Sequence, residues 1–281
     1  MDRAEPLAST WNARLALGFQ RRAAATILAR REHAGPLRVQ KPLYPEGEAV
    51  CHAIVLHPPS GVAGGDELEI DVTVEAGAHA LLTTPGAGKW YRSAGAWARQ
   101  RLGMTVAAQG RLEWLPQETI VFDAARAAMD SRIELAADAR FIGMEVLCLG
   151  RRACGEQFGR GILQLSTRVQ RAGQPIWLER GRLEGGSAVL ASPAGLAGFS
   201  VNGTLLAAAP DIAPALLAAC RAVPALEAGA HHGLTLLPDL LVARYLGHSS
   251  EAARLWFIAL WQVLRPALMG RPAQLPRIWS T

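Results

Sequence analysis

The segment E-L-E-I-D-V-T-V-E, Glu67 to Glu75, sets Leu68, Ile70, Val72 and Val74 in strict alternation with Glu67, Glu69, Asp71, Thr73 and Glu75. A period of two puts the apolar set on one side of an extended chain and the acidic set on the other, which a helix of 3.6 residues per turn cannot do. The segment is therefore a strand with one buried and one solvated face. Strand-length runs recur, with turn residues between them, at 51–57, 78–84, 102–107, 133–137, 141–149, 162–169, 176–183, 188–191 and 199–206. Short strands at close spacing, with few helical stretches between them, predict a mainly β fold of mostly antiparallel strands in stacked sheets. The same pattern argues against a doubly wound nucleotide fold.

Helical periodicity appears late in the chain. Ile212, Leu216, Leu217 and Cys220 form one stripe over 211–223, and Ala252, Leu255, Trp256, Ala259, Leu260, Val263 and Leu264 form another over 249–269. Ser249 or Ser250 suits the N-cap of the second helix, and Pro266 is expected to end or kink it. No repeat or low-complexity linker divides the sequence. The expectation is one domain over 1–281 with a variable N-terminal segment, 1–34, and a helical part, 207–269.

A chain of 281 residues buries roughly three quarters of its extended surface and can hold a large core. Every apolar run stops well short of the roughly 18 residues of a membrane span, and the first six residues lack the continuous apolar core of a secretory signal. A cytoplasmic protein is expected. Cys51, Cys148, Cys154 and Cys220 form no Cys-x-x-Cys pair, which argues against a zinc or redox motif, and most are expected reduced and buried. The net charge of +5 is spread among acidic residues without a recognised nucleic-acid motif, so nucleic acid is not an expected partner.

T-T-P-G-A-G-K-W-Y-R-S, Thr83 to Ser93, looks at first like a phosphate loop. Such a loop needs Gly-x-x-x-x-Gly-Lys-Ser/Thr, and here Thr83 replaces the first glycine while Trp90 replaces the metal-binding hydroxyl. A strand-end turn is the better reading, and Lys89 needs another role. His57, at a strand end, could be held near Asp66 as a proton or metal site; the plainer alternative is that Asp66 caps turn N–H groups. No Gly-x-Ser-x-Gly elbow is present, which leaves serine hydrolase chemistry unsupported. Asp66, Glu118, Asp123, Glu145 and Glu156 lie beside apolar strand residues, where a carboxylate is costly to bury unless paired, hydrated or bound to a cation. Glu145, between Met144 and Val146, is the least expected of these.

G-P-L-R-V-Q-K-P-L-Y-P-E, C-H-A-I-V-L-H-P-P-S-G-V-A-G-G-D, L-L-T-T-P-G-A-G-K-W-Y-R-S, L-E-W-L-P-Q-E-T-I-V-F-D, F-I-G-M-E-V-L-C-L-G-R and L-R-P-A-L-M-G-R-P-A-Q-L-P-R-I-W together resemble the urease accessory protein family UreD, called UreH in some bacteria, from about Gly35 to the C-terminus. Ser60, Trp90 and Met144 depart from the usual residues. The resemblance implies a mostly β fold with two helices and a non-enzymatic maturation factor. It implies binding to UreF, which recruits the GTPase UreG, and docking on apo-urease to deliver Ni²⁺. It implies an internal water-filled tunnel for that ion, with Asp66 as the strongest lining candidate and Thr83, Thr84, Lys89, Glu118, Asp123 and Glu145 as weaker ones; Ser93 is placed with the tunnel or interface residues. No tightly bound cofactor is implied, and Ni²⁺ passes transiently.

A releasing path should prefer single carboxylates and water over His or Cys clusters, because nickel binds imidazole tightly. Trp256, Phe257 and Trp261 crowd the last helix: one face is expected in the core and the other is a candidate partner surface, unless the helix is enclosed on both sides. The competing reading is an independent cytoplasmic enzyme using His57 and Asp66.

Overall fold

The computed structural model describes residues 10–280. Seventeen strands are found among the described residues. They are β1 (Asn12–Arg22), β2 (Ala25–Ala34), β3 (Arg38–Val39), β4 (Cys51–Leu56), β5 (Glu67–Val74), β6 (His79–Thr83), β7 (Gly88–Trp90), β8 (Ala98–Val106), β9 (Arg111–Leu115), β10 (Thr119–Val121), β11 (Arg126–Leu135), β12 (Arg140–Leu149), β13 (Ile162–Arg171), β14 (Gln174–Glu184), β15 (Val201–Ala208), β16 (His231–Leu237) and β17 (Leu240–Gly247). Three α-helices accompany them: α1 (Ala188–Ala191), α2 (Pro214–Arg221) and α3 (Ser250–Met269).

The strands form a seven-stranded sheet, in the order β14-β13-β11-β8-β5-β1-β2, and a ten-stranded sheet whose main path is β16-β17-β15-β12-β9-β6-β4-β3. From β4 onward the chain passes from one sheet to the other at nearly every step, so successive members of one sheet run the same way. β5, β8, β11 and β13 pair in parallel, as do β4, β6, β9 and β12. The mostly antiparallel expectation is thus corrected: antiparallel pairing is confined to the sheet ends, at β1 with β2, β3 with β4, β13 with β14, and β12, β15, β17 and β16. Alternation fixes which side of a strand is buried and is silent on the direction of its neighbour. The stacked, mainly β character stands.

Three further expectations change. Residues 188–191 form the helix α1, and β16 and β17 lie inside the supposed helical part. From residue 12 the N-terminal segment is sheet, with β1 paired to both β2 and β5; the residues weighed for a secretory signal lie outside the described ones. α3 runs through Pro266 to Met269 and closes on Gly270 at φ 69°, while Ser249 caps its start by accepting the Ala252 N–H at 3.1 Å. No helix among the described residues is long and apolar enough to cross a membrane.

One core fills the space between the sheets, and a second lies between the ten-stranded sheet and α2 and α3. β12 serves both, with Phe141, Leu147 and Leu149 facing the first and Ile142, Met144, Val146 and Cys148 the second. That double burial explains why its sequence is almost continuously apolar. Gly203 of β15 permits the close approach of α3: a Cβ there would lie 2.7 Å from the Phe257 ring. Trp256, Phe257 and Trp261 are at most 1% exposed, so both faces of α3 are core and the aromatic residues present no partner surface.

α3 is also pinned by a buried ion network. Arg265 donates through Nε to Glu113 Oε2 at 2.9 Å and through Nη2 to Glu46 Oε1 at 2.7 Å. Glu113 further accepts from Trp261 Nε1 at 2.6 Å and contacts His79 Nε2 at 2.8 Å, while His52 Nε2 meets Glu46 at 2.6 Å. The network ties the loop before β4, the strands β4, β6 and β9, and α3 into one unit.

Candidate functional site

A cavity of about 510 Å³ lies between the two sheets. Its walls are mostly the apolar residues of the first core, such as Leu68, Ile70, Leu102, Met104 and Phe141, interrupted by polar groups. Strand pairing sets these groups in two rows. In the seven-stranded sheet Ser131, Thr167 and Glu179 stand side by side on β11, β13 and β14. In the ten-stranded sheet Glu145, Thr204 and Arg244 do the same on β12, β15 and β17. His57 and Lys89 line the cavity from the side of β4 and β7.

The Glu145 carboxyl, at the inner end of its row, is pushed up to about 7. Burial is the main cause, the negative charge of Glu179 adds to it, and the Arg244 guanidinium offsets part of both. A carboxyl of this kind changes charge near neutrality. His57 is shifted the other way: burial lowers its pKa, the charge of Asp66 only partly opposing, which favours the neutral imidazole. Its Nε2 is buried without a hydrogen-bond partner. Among the described residues no three His, Cys, Asp or Glu side chains converge to hold a metal ion. The walls therefore offer a cation isolated carboxylates rather than a closed ligand cage.

The family model described as UreD urease accessory protein matches residues 12–280. The chain belongs to this family. It is 60% identical over 275 residues to the urease accessory protein UreD of Dechloromonas aromatica, with 97% of this chain and 95% of that protein covered. It is 57% identical to the UreD of Azoarcus sp. over 96% of this chain and 94% of the other, and 52% identical to that of Nitrosococcus oceani over 97% and 91%.

In this UreD-family chain the candidate site residues fall into two groups. Glu145, Thr84 and Lys89 line the cavity. Thr84 lies in the turn between β6 and β7, where its hydroxyl donates to the Gly86 carbonyl and accepts the Gln117 N–H. Lys89 sits on the short strand β7, so the loop resembling a phosphate site leads into a strand and lacks the helix that would complete one.

The others are occupied elsewhere. Asp66, the leading candidate, is buried and accepts the Trp11 N–H at 2.9 Å and the Ala63 N–H at 2.8 Å. It caps a turn and does not line the cavity, nor is it hydrogen-bonded to His57, so the paired site of the competing enzyme reading is not formed. Asp123 accepts the N–H groups of Gly159 and Arg160 and the Arg160 guanidinium, which together hold its carboxyl below the usual range. Ser93 bonds the turn at Ala96 and Gly95. Thr83 points to the second core, donating to the Leu115 carbonyl and accepting the Trp279 indole N–H at 2.8 Å. Glu118 lies on that side too, its charge among the influences on the buried Cys148 thiol. Cys51, Cys148 and Cys220 are buried, as expected of most of the cysteines, and Cys154 is exposed.

Asp66→Ala is therefore expected to remove two partly buried hydrogen bonds and to destabilise the chain by about 1–3 kcal/mol, as read by urea unfolding. An unchanged midpoint would show that the turn does not depend on the carboxylate.

Sequence reasoning missed Gln100, Ser131, Thr167 and Glu179 as wall residues. A signal was present: each is a polar residue at an inward position of its strand's alternation. It is weak in isolation, because Ser and Thr are common in strands and Gln100 lies near the start of β8.

Proposed function

We propose that this chain is a non-catalytic cytoplasmic scaffold for urease maturation, which binds UreF and through it UreG, docks on apo-urease and passes Ni²⁺ along the cavity between its sheets. The observation that carries the nickel part is the cavity itself, with Glu145 and Glu179 on facing sheets of a urease accessory protein. Separate carboxylates suit a cation in transit. Nickel stands high in the divalent affinity series, and a cluster of imidazoles or thiolates would retain it. Membership of the UreD family supports the partner assignments.

A reconstituted reaction of apo-urease, the accessory proteins, GTP, bicarbonate and Ni²⁺ tests the reading. Glu145→Gln and Glu179→Gln, singly and together, are expected to lower urease activation severalfold while leaving capture of UreF unchanged. Activation at the unsubstituted rate by the double variant would remove this cavity from the nickel route.

A further inference from the structure

Arg244 completes the row Glu145, Thr204, Arg244 on the ten-stranded sheet and also reaches the opposite sheet. Nη1 donates to Thr204 Oγ1 at 2.7 Å and Nη2 to Glu179 Oε1 at 2.7 Å. The guanidinium carbon lies 5.4 Å from the centroid of the Trp177 ring, which gives the planar group a surface to rest on. The Arg244 and Glu179 side chains are 38% and 34% exposed, and β14 is the last strand of its sheet. The pair thus bridges the sheets where the cavity meets solvent. Glu145 lies one strand deeper than Thr204 and close enough to feel the charges of both Glu179 and Arg244.

We propose that Arg244 is a gate at this mouth, a fixed cation held on Glu179 beside Thr204, in the same row as Glu145, that keeps divalent cations out until it is displaced. The proposal rests on the reading of the cavity as a cation route. A guanidinium does not lose its proton in a protein, so its charge is removed from Glu179 only by movement. Its partial exposure leaves room for that movement, in which it releases its hydrogen bonds to Thr204 and Glu179 and its seat on the Trp177 ring. While it is seated, an entering divalent cation meets a positive charge where it would bind. Once it leaves, Glu145 and Glu179 face each other without a counter-charge, and a divalent cation supplies one. The geometry is that of a side chain standing in for the ion.

The test is equilibrium dialysis of the full-length protein against Ni²⁺ alone at neutral pH, with circular dichroism confirming the fold of each variant. Arg244→Gln is expected to tighten Ni²⁺ binding about tenfold, the effect of removing one nearby like charge from a partly solvated site. Arg244→Lys should stay near the unsubstituted value, and the triple change Arg244→Gln, Glu145→Gln, Glu179→Gln should abolish the gain. Thr204→Val, which keeps both carboxylates and removes only one anchor of the guanidinium, should give a smaller gain. Unchanged binding in both Arg244→Gln and Thr204→Val overturns the gate, as does a gain that survives loss of the two carboxylates. Failure here is separable from failure of the delivery reading. If Glu145→Gln impairs activation while Arg244→Gln leaves Ni²⁺ binding unchanged, the route stands without this gate. If the carboxylate variants activate urease normally while Arg244→Gln binds Ni²⁺ more tightly, the gate stands on a cavity that is not the delivery route.

Discussion

Replacing Arg265 by alanine is expected to destabilise the chain by about 3–5 kcal/mol, the largest effect of any single substitution considered. Arg265 and Glu113 are both 0% exposed, so the variant would leave Glu113 without its main counter-charge and Glu46 without a two-pronged donor. Burial by itself would raise the Glu113 carboxyl, but His79 and Arg265 more than offset it and hold the group low. Glu46 is held at about 2, burial again being outweighed, here by His52 and Arg265. A carboxyl depressed in the folded state contributes stability that is present above its ordinary value of about 4.5 and is lost as pH falls through about 2. Acid unfolding should therefore begin in that window, and the Arg265→Ala chain should enter it from a lower plateau. Arg265→Lys should rescue little, since the three donors of an ammonium radiate from one nitrogen and lack the span by which Nε, Nη1 and Nη2 reach Glu113, Glu46 and the Pro272 carbonyl. Chemical denaturation at pH 7 decides the matter. A loss below about 1 kcal/mol in Arg265→Ala would mean that water solvates the carboxylates as well as the guanidinium does.

Much of the architecture was legible because burial in a strand leaves a period-two trace. The β5 segment is as read, with Leu68, Ile70, Val72 and Val74 buried and Glu67, Glu69 and Thr73 exposed. Strand direction leaves no such trace: β12 has a parallel neighbour in β9 and an antiparallel one in β15, and its sequence is the same toward both. β1 escaped notice because Ala16 and Gly18 separate Leu15, Leu17 and Phe19, and small residues between large ones fit a helix as readily as a strand. Ala188–Ala191 read as a strand for the converse reason, an apolar run too short to show its period.

The site was legible where a residue violated its surroundings. Glu145 stood out as a carboxylate within an apolar strand, and it lines the cavity. Asp66 and Asp123 drew attention through glycine-rich or aromatic neighbours, but such turns are where carboxylates cap backbone N–H groups, and both do so. Arg265, Glu46 and Glu113 gave no signal. Their partners are 152 and 219 residues apart in sequence, so only the folded chain brings them together.

Glu145→Gln is expected to make the chain more stable above neutral pH. The folded-state carboxyl titrates at about 7 against an ordinary value of 4.5, so folding favours its protonated form. A group raised in this way contributes stability that is full below about 4.5 and is lost as pH rises through about 7. The shift corresponds to roughly 3 kcal/mol, and about 2 kcal/mol is the better expectation for a side chain that borders a cavity able to hold water. Glutamine keeps the shape and polarity of the protonated acid without the charge. The urea midpoint of the unsubstituted chain should therefore fall between pH 5 and pH 8, and that of Glu145→Gln should vary less and lie above it at pH 8. Equal midpoints at pH 8 would mean that Arg244 already neutralises Glu145 in the folded chain. A more stable variant that activates urease less well would identify the carboxylate as one kept for its charge at a cost to the fold, the expected mark of a functional group among apolar neighbours.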